Sequence, residues 1–126
     1  MNVPEHLRYT PHHLWVELQP DGTARAGITD HAQETLGDIV FVEIPGVGTS
    51  VTAGQPCGLI ESVKTASDLH APMSGRIVEI NQALQTSPEQ INDAPYTAWI
   101  FRIQPDSANE WDRLLNAEGY RQQLDQ

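Results

Sequence analysis

Glycine and proline cut this chain into extended runs too short to be anything but strands between turns. Gly22, Gly37, Pro45-Gly46, Gly48, Gly54, Pro72 and Gly75 punctuate its first two thirds. Between and beyond them, the runs 14–18, 23–27, 38–44, 57–60, 75–80 and 98–103 are apolar or alternating, as strands require. Asp21-Gly22 between the first two is a hairpin signal, and 69–72 is a further short segment that Pro72 stops, because proline has no N–H for a ladder. Helices fill few of the gaps. One runs from a Thr29 or Asp30 cap to about Leu36, with Ala32, Leu36 and Thr35 inward and Gly37 as the stop. Another turn starts at 87–89, with Pro88 at the first helical position. After Pro105, Asp106 or Ser107 caps a helix with Trp111, Leu114 and Leu115 on one face, and a short helix over 119–124 follows. This order does not alternate as a βαβ fold does, so it predicts a mainly β sandwich with short N- and C-terminal helices.

The 126 residues make one domain, 1–126, with a C-terminal helical appendage at about 106–124. A formal charge of -10 argues against nucleic acid or an anionic membrane as partner. A single cysteine, Cys57, excludes an internal disulfide and fits a reducing compartment. Residues 1–5 resemble neither a signal nor a transit peptide, and no apolar run reaches the roughly twenty residues of a membrane span. A cytoplasmic monomer is the expectation.

Against seventeen carboxylates stands one lysine, Lys64, so the chain has one side-chain amine to acylate. It lies between two extended segments, near the tip of the connection 62–67, which has neither the glycine nor the asparagine of a primed turn but suits a type I turn. A faint internal echo, Gly37-Asp38-Ile39-Val40 against Gly75-Arg76-Ile77-Val78 and Thr49-Ser50 against Thr86-Ser87, brackets it and suggests two pseudo-symmetric halves. His6, His12 and His13 do not form a metal set, since neighbours in a strand point to opposite faces and no carboxylate or cysteine completes them. Cys57 reads as a small buried residue. No carboxylate pair or triad suggests catalysis.

The stretch Glu61-Ser62-Val63-Lys64-Thr65-Ala66-Ser67-Asp68, with Gly75 beyond it, resembles the lipoylation site of the glycine cleavage system H protein family. The likeness continues, in the same order, through 27–34, 36–43, 87–89 and 92–99, and covers about 7 to 124. The resemblance implies a lipoyl-domain-like β-sandwich of the hybrid-motif barrel-sandwich type, and a non-catalytic carrier rather than an enzyme. It implies lipoate on Lys64 as N6-lipoyllysine, with Glu61, Ser62, Val63, Thr65 and Asp68 as flanking recognition residues and His31 beside a cleft for the loaded arm. The implied partners are a lipoate-attaching enzyme, a pyridoxal-phosphate glycine decarboxylase (P protein), an aminomethyltransferase (T protein) and dihydrolipoyl dehydrogenase (L protein). The arm would carry an aminomethyl group from P protein to T protein on a tether on the order of 10–15 Å from ordinary bond lengths.

Three positions depart from that pattern. Leu14 stands where the family usually has a glutamate, the segment 95–99 is one residue short and lacks a glycine before Trp99, and Thr65 replaces a more usual alanine. Three other functions stay open beside the carrier: another acylated or biotinylated carrier, an H-like donor or store of lipoyl groups for other complexes, and an unmodified interaction module. Biotin acceptors carry methionine on both sides of their lysine, where this chain has Val63 and Thr65.

Overall fold

The computed structural model describes residues 2–125. In chain order they form β1 (Arg8–Tyr9), β2 (Leu14–Leu18), β3 (Ala24–Ile28), α1 (Asp30–Leu36), β4 (Ile39–Glu43), β5 (Ser50–Val51) and β6 (Pro56–Ser62). There follow β7 (Ala66–His70), β8 (Gly75–Ile80), α2 (Ala83–Thr86), α3 (Gln90–Asp93), β9 (Phe101–Pro105), α4 (Asn109–Asp112) and α5 (Ala117–Leu124). A six-stranded antiparallel sheet in the order β1-β2-β3-β9-β8-β5 faces a three-stranded one, β4-β6-β7. Leu14, Val16 and Ile77 from the first meet Ile39, Ile60 and Leu69 from the second in one buried core. Each such large side chain stabilises the fold by about 1.5–3 kcal/mol.

The first three residues of β2 are buried on both faces, which explains the apolar run Leu14-Trp15-Val16. Leu14 and Val16 point into the sandwich, whereas Trp15 points to the other side and joins Leu7, Tyr9, Ala117 and Tyr120 under α5. The Tyr9 and Tyr120 rings stack with centroids 4.7 Å apart. Trp15 pairs across the ladder with Gly27. A Cβ on Gly27 would come within 2.7 Å of the indole nitrogen, so only glycine lets the ring lie flat on β3. The indole N–H then donates to the Pro95 carbonyl at 2.9 Å.

Several expectations need correction at element ends. Strand β7 begins at Ala66 rather than 69, because Glu61 pairs with Ala66 across a tighter turn. The last strand begins at Phe101 rather than 98, although the Ile100 N–H already donates to the Ala26 carbonyl. Strand β1 and helix α2 had no separate sequence signal. Pro88 precedes α3 instead of opening it: Ser87 and Pro88 accept from Gln90 and Ile91 in a turn before the helix. Helix α4 ends before Leu114 and Leu115, and α5 starts at Ala117 because the Asn116 side chain accepts from the Gly119 N–H at 2.8 Å. The internal echo holds only in part: Ile39-Val40 and Ile77-Val78 both lie in strands, but Thr49-Ser50 leads into a strand while Thr86-Ser87 closes a helix. In β4 a register shift between Ile39 and Phe41 leaves Val40 and Phe41 both facing outward, although the run reads as wholly apolar.

Candidate functional site

Lys64 stands on the tight turn between β6 and β7. Ser62 does the work that glycine or asparagine does in other hairpins. Its backbone N–H donates to the Thr65 carbonyl at 2.8 Å, and its Oγ accepts from the N–H groups of Lys64 and Thr65, each at 3.2 Å. A serine hydroxyl that satisfies two turn amides holds the chain without any left-handed residue. The tip is also tied sideways, because the Val63 N–H donates to the Asp38 carbonyl at 3.0 Å. Val63, Lys64 and Thr65 are exposed, while Ser62 beneath them is buried.

The lysine chain crosses from its hairpin to the end of α1. Thr29 caps that helix, its Oγ1 accepting from the Ala32 N–H, and Gly37 ends it with φ +83°. The Lys64 Nζ donates to the Thr35 carbonyl at 3.1 Å. Asn92 fixes the same corner from α3. Its Nδ2 donates to the Gly37 carbonyl at 2.8 Å and its Oδ1 accepts from the Ile39 N–H at 2.9 Å.

Beside this crossing a cleft of about 150 Å³ opens between α1, β7 and the start of β2. Leu14, Ile28, Ile60 and Leu69 give it an apolar floor, with Thr35 and Asp68 among its other lining residues. Pockets for free drug-sized ligands are about 300–1,000 Å³. This one suits a small apolar group delivered on a tether.

Histidines make up much of the polar wall: His12, His13 and His31 all line the cleft. His12 and His13 share it because they lie before β2, not in a strand, and His13 has φ 67°, which turns the chain between them. His12 stacks on His70 with ring centroids 4.0 Å apart, and His13 leans on His31 at 4.8 Å. The Tyr120 hydroxyl lies 2.7 Å from His13 Nδ1 and 2.8 Å from Thr29 Oγ1. Burial pushes that phenol up to about 12, so it stays protonated. Burial, then the His31 and His12 rings, hold His13 below the ordinary histidine value; burial, then His70, do the same for His12.

Of the flanking residues singled out from sequence, Asp68 and His31 reach the cleft. Glu61, Ser62, Val63 and Thr65 belong to the hairpin that presents the lysine, with Glu61 half-buried in β6. Among the described residues, 95–99 do not line the cleft, and their loop closes on itself, Thr97 and Ala98 both donating to the Ala94 carbonyl. Cys57 is half-buried, and burial pushes its thiol up to about 11, away from reactive thiolate chemistry. His12 and His13 are the cleft residues that sequence reasoning set aside, and only the bend at His13 brings them in.

The model of the glycine cleavage H-protein family matches residues 7–126. The chain belongs to that family. It is 60% identical over 121 residues to the glycine cleavage system H protein of Methylobacillus flagellatus, covering 96% of this chain and 97% of that one. It is 52% identical over 120 residues to the protein of the same description from Methylococcus capsulatus, covering 95% and 94%. A crystal structure of a glycine cleavage system H protein from Mycobacterium marinum superposes with a TM-score of 0.89 at 44% identity, covering 98% of this chain and 100% of that one. The two-sheet architecture of the family is thus the one seen here, and the family match includes the hairpin, α1 and the cleft.

Proposed function

We propose that this chain is the lipoyl carrier of the glycine cleavage system, with lipoate joined in amide linkage to Lys64 Nζ. One observation carries the reading: the only lysine of a family member projects from a braced hairpin to the carbonyl of Thr35, a residue that lines a small cleft with an apolar floor. The residues present fit the group, since an acyl chain leaving Nζ starts beside Thr35, and the floor of Leu14, Ile28, Ile60 and Leu69 accepts an apolar ring. Bound lipoate would supply a disulfide that takes the aminomethyl group together with the two electrons left by glycine decarboxylation, and that L protein would reoxidise once the group had passed to T protein.

The chain's own residues present and shelter. Ser62 orders the turn so that the attaching enzyme and P, T and L proteins meet one geometry rather than an ensemble. Glu61, Val63, Thr65 and Asp68 border the lysine and form the face those partners read. Tethering holds the carried group at high effective concentration near each docked partner. The net charge of -10 favours basic partner faces and acts mainly on association rate.

The test is the mass of the protein from a lipoylating host, mapped to the Lys64 peptide, followed by loading with P protein and glycine. A single lipoyl adduct at Lys64, absent in Lys64→Arg, together with P-protein-dependent loading, is the expected result. An unmodified Lys64 in a host that lipoylates other proteins overturns it. A second reading, a donor or store of lipoyl groups for other complexes, is favoured by the apolar Leu14 in the cleft floor. It would gain if the lipoylated protein resists loading by P protein.

A further inference from the structure

The lysine that would carry the arm is already seated. Its Nζ donates to the Thr35 carbonyl, and its Cε lies only 3.0 Å from where a Cβ on Gly37 would stand. Thr35 belongs to the last turn of α1, where the final carbonyls lack intrahelical donors. The Ile39 N–H, four residues on and the donor Thr35 would have if the helix continued, is committed instead to Asn92 Oδ1. A cation at a helix C-terminus is favourable, so the amine finds there both an acceptor and a partial negative charge.

Acylation removes the charge and two of the three N–H bonds but leaves one N–H on the same nitrogen. We propose that the amide N–H of acylated Lys64 keeps the Thr35 carbonyl as its acceptor, with Gly37 as the notch that admits the lysine methylenes. Thr35 and Gly37 then act as positioning residues for the base of the arm. Thr35 also lines the cleft, so an arm anchored there starts at the cleft's edge. A glycine at 37 answers two demands at once: its φ of +83° and ψ of -155° lie where glycine alone is comfortable, and its missing side chain is the seat of the lysine. This inference rests on Lys64 being the acylated residue.

One lysine makes the test clean. Protein labelled with [15N]lysine has a single side-chain nitrogen, and Thr35-Leu36 is the only Thr-Leu pair in the chain, so the Thr35 carbonyl can be picked out by paired [13C]threonine and [15N]leucine labels. After acylation with lipoate, verified by mass, the Nζ–H should exchange with solvent about threefold to tenfold more slowly than in an acylated peptide of residues 61–68, the range expected for one net hydrogen bond. It should also show a through-bond coupling to the Thr35 carbonyl carbon. Gly37→Ala should bring exchange to the peptide rate with the acyl group still attached. If strain unfolds that variant, the coupling in the unaltered protein decides alone. Peptide-like exchange without coupling in an acylated, folded protein overturns the inference and leaves the carrier function standing. No adduct at Lys64 overturns the reading beneath it.

Discussion

The amide nitrogen of Asn92 donates to the carbonyl of Gly37 at 2.8 Å and so holds the end of α1 against α3. The same side chain accepts from the Ile39 N–H and donates to Gln33 Oε1, so one half-buried residue joins the helix, its stop and the first residue of β4. Asn92→Ala leaves the Ile39 N–H and the Gly37 carbonyl without these partners. The expected loss is about 2–3 kcal/mol, from unsatisfied groups that cost about 1–3 kcal/mol each. Urea unfolding monitored by tryptophan fluorescence checks this, and a change under about 0.5 kcal/mol, the scale of ordinary surface substitutions, would refute it.

Ser62→Ala removes the acceptor for two turn amides. Global stability should fall by about 1 kcal/mol, the typical net value of such bonding. Acylation of Lys64 by a lipoate-attaching enzyme should slow by about tenfold if ordering the turn then costs about 1.4 kcal/mol. Timed intact-mass measurement reads the rate, and an unchanged rate would mean the enzyme does not need a preformed turn.

Gly27→Ala drives a methyl to within 2.7 Å of the Trp15 indole. The ring is 2% exposed and bonded to Pro95, so it has little room to yield. Overpacking of this kind costs about 1–3 kcal/mol, more if the indole bond is lost. Thermal unfolding should show the drop together with an altered tryptophan emission.

Acid should weaken the fold through the cleft histidines. His12 and His13 are held below the ordinary value of about 6.5, so between that pH and their folded-state values the unfolded chain binds protons that the folded chain refuses. Stability therefore falls as pH drops below about 6.5 and stops falling from this source once the folded rings protonate. His13→Gln should flatten that slope in denaturant titrations between about pH 5 and 7, and an unchanged slope would remove His13 as its cause.

Leu14→Glu introduces a carboxyl into a position that is 2% exposed and lies in the cleft floor. Burial raises the pKa of the new carboxyl, so the folded state holds its proton more tightly than the unfolded state does, and stability should decline as pH rises from about 4.3. Compared at pH 5 and 8 by urea unfolding, the variant should be less stable than the parent at both and more so at pH 8. Equal losses at the two values would mean that the nearby His12, His13 or His31 ring pairs with it.

Sequence alone determined the β character, the hairpin at Asp21-Gly22, the helix between Thr29 and Gly37, and Lys64 as the one acylatable amine. These are local matters, settled by turn chemistry, capping and residue identity within a few positions. Tertiary structure decided what depends on partners far along the chain. Trp15 is buried outside the sandwich among partners that lie far along the chain, Ala117 and Tyr120 of α5 and the Pro95 carbonyl that its indole bonds. Val40 and Phe41 face solvent together because the pairing of β4 with β6 slips by a residue. The cleft is legible in no single segment, since Leu14, His31 and Leu69 meet through sheet pairing and the docking of α1. His12 and His13 enter it through a left-handed residue that sequence does not announce. Burial and long-range hydrogen bonding are properties of the assembled chain, so the lysine could be named from sequence and its seat on Thr35 and Gly37 could not.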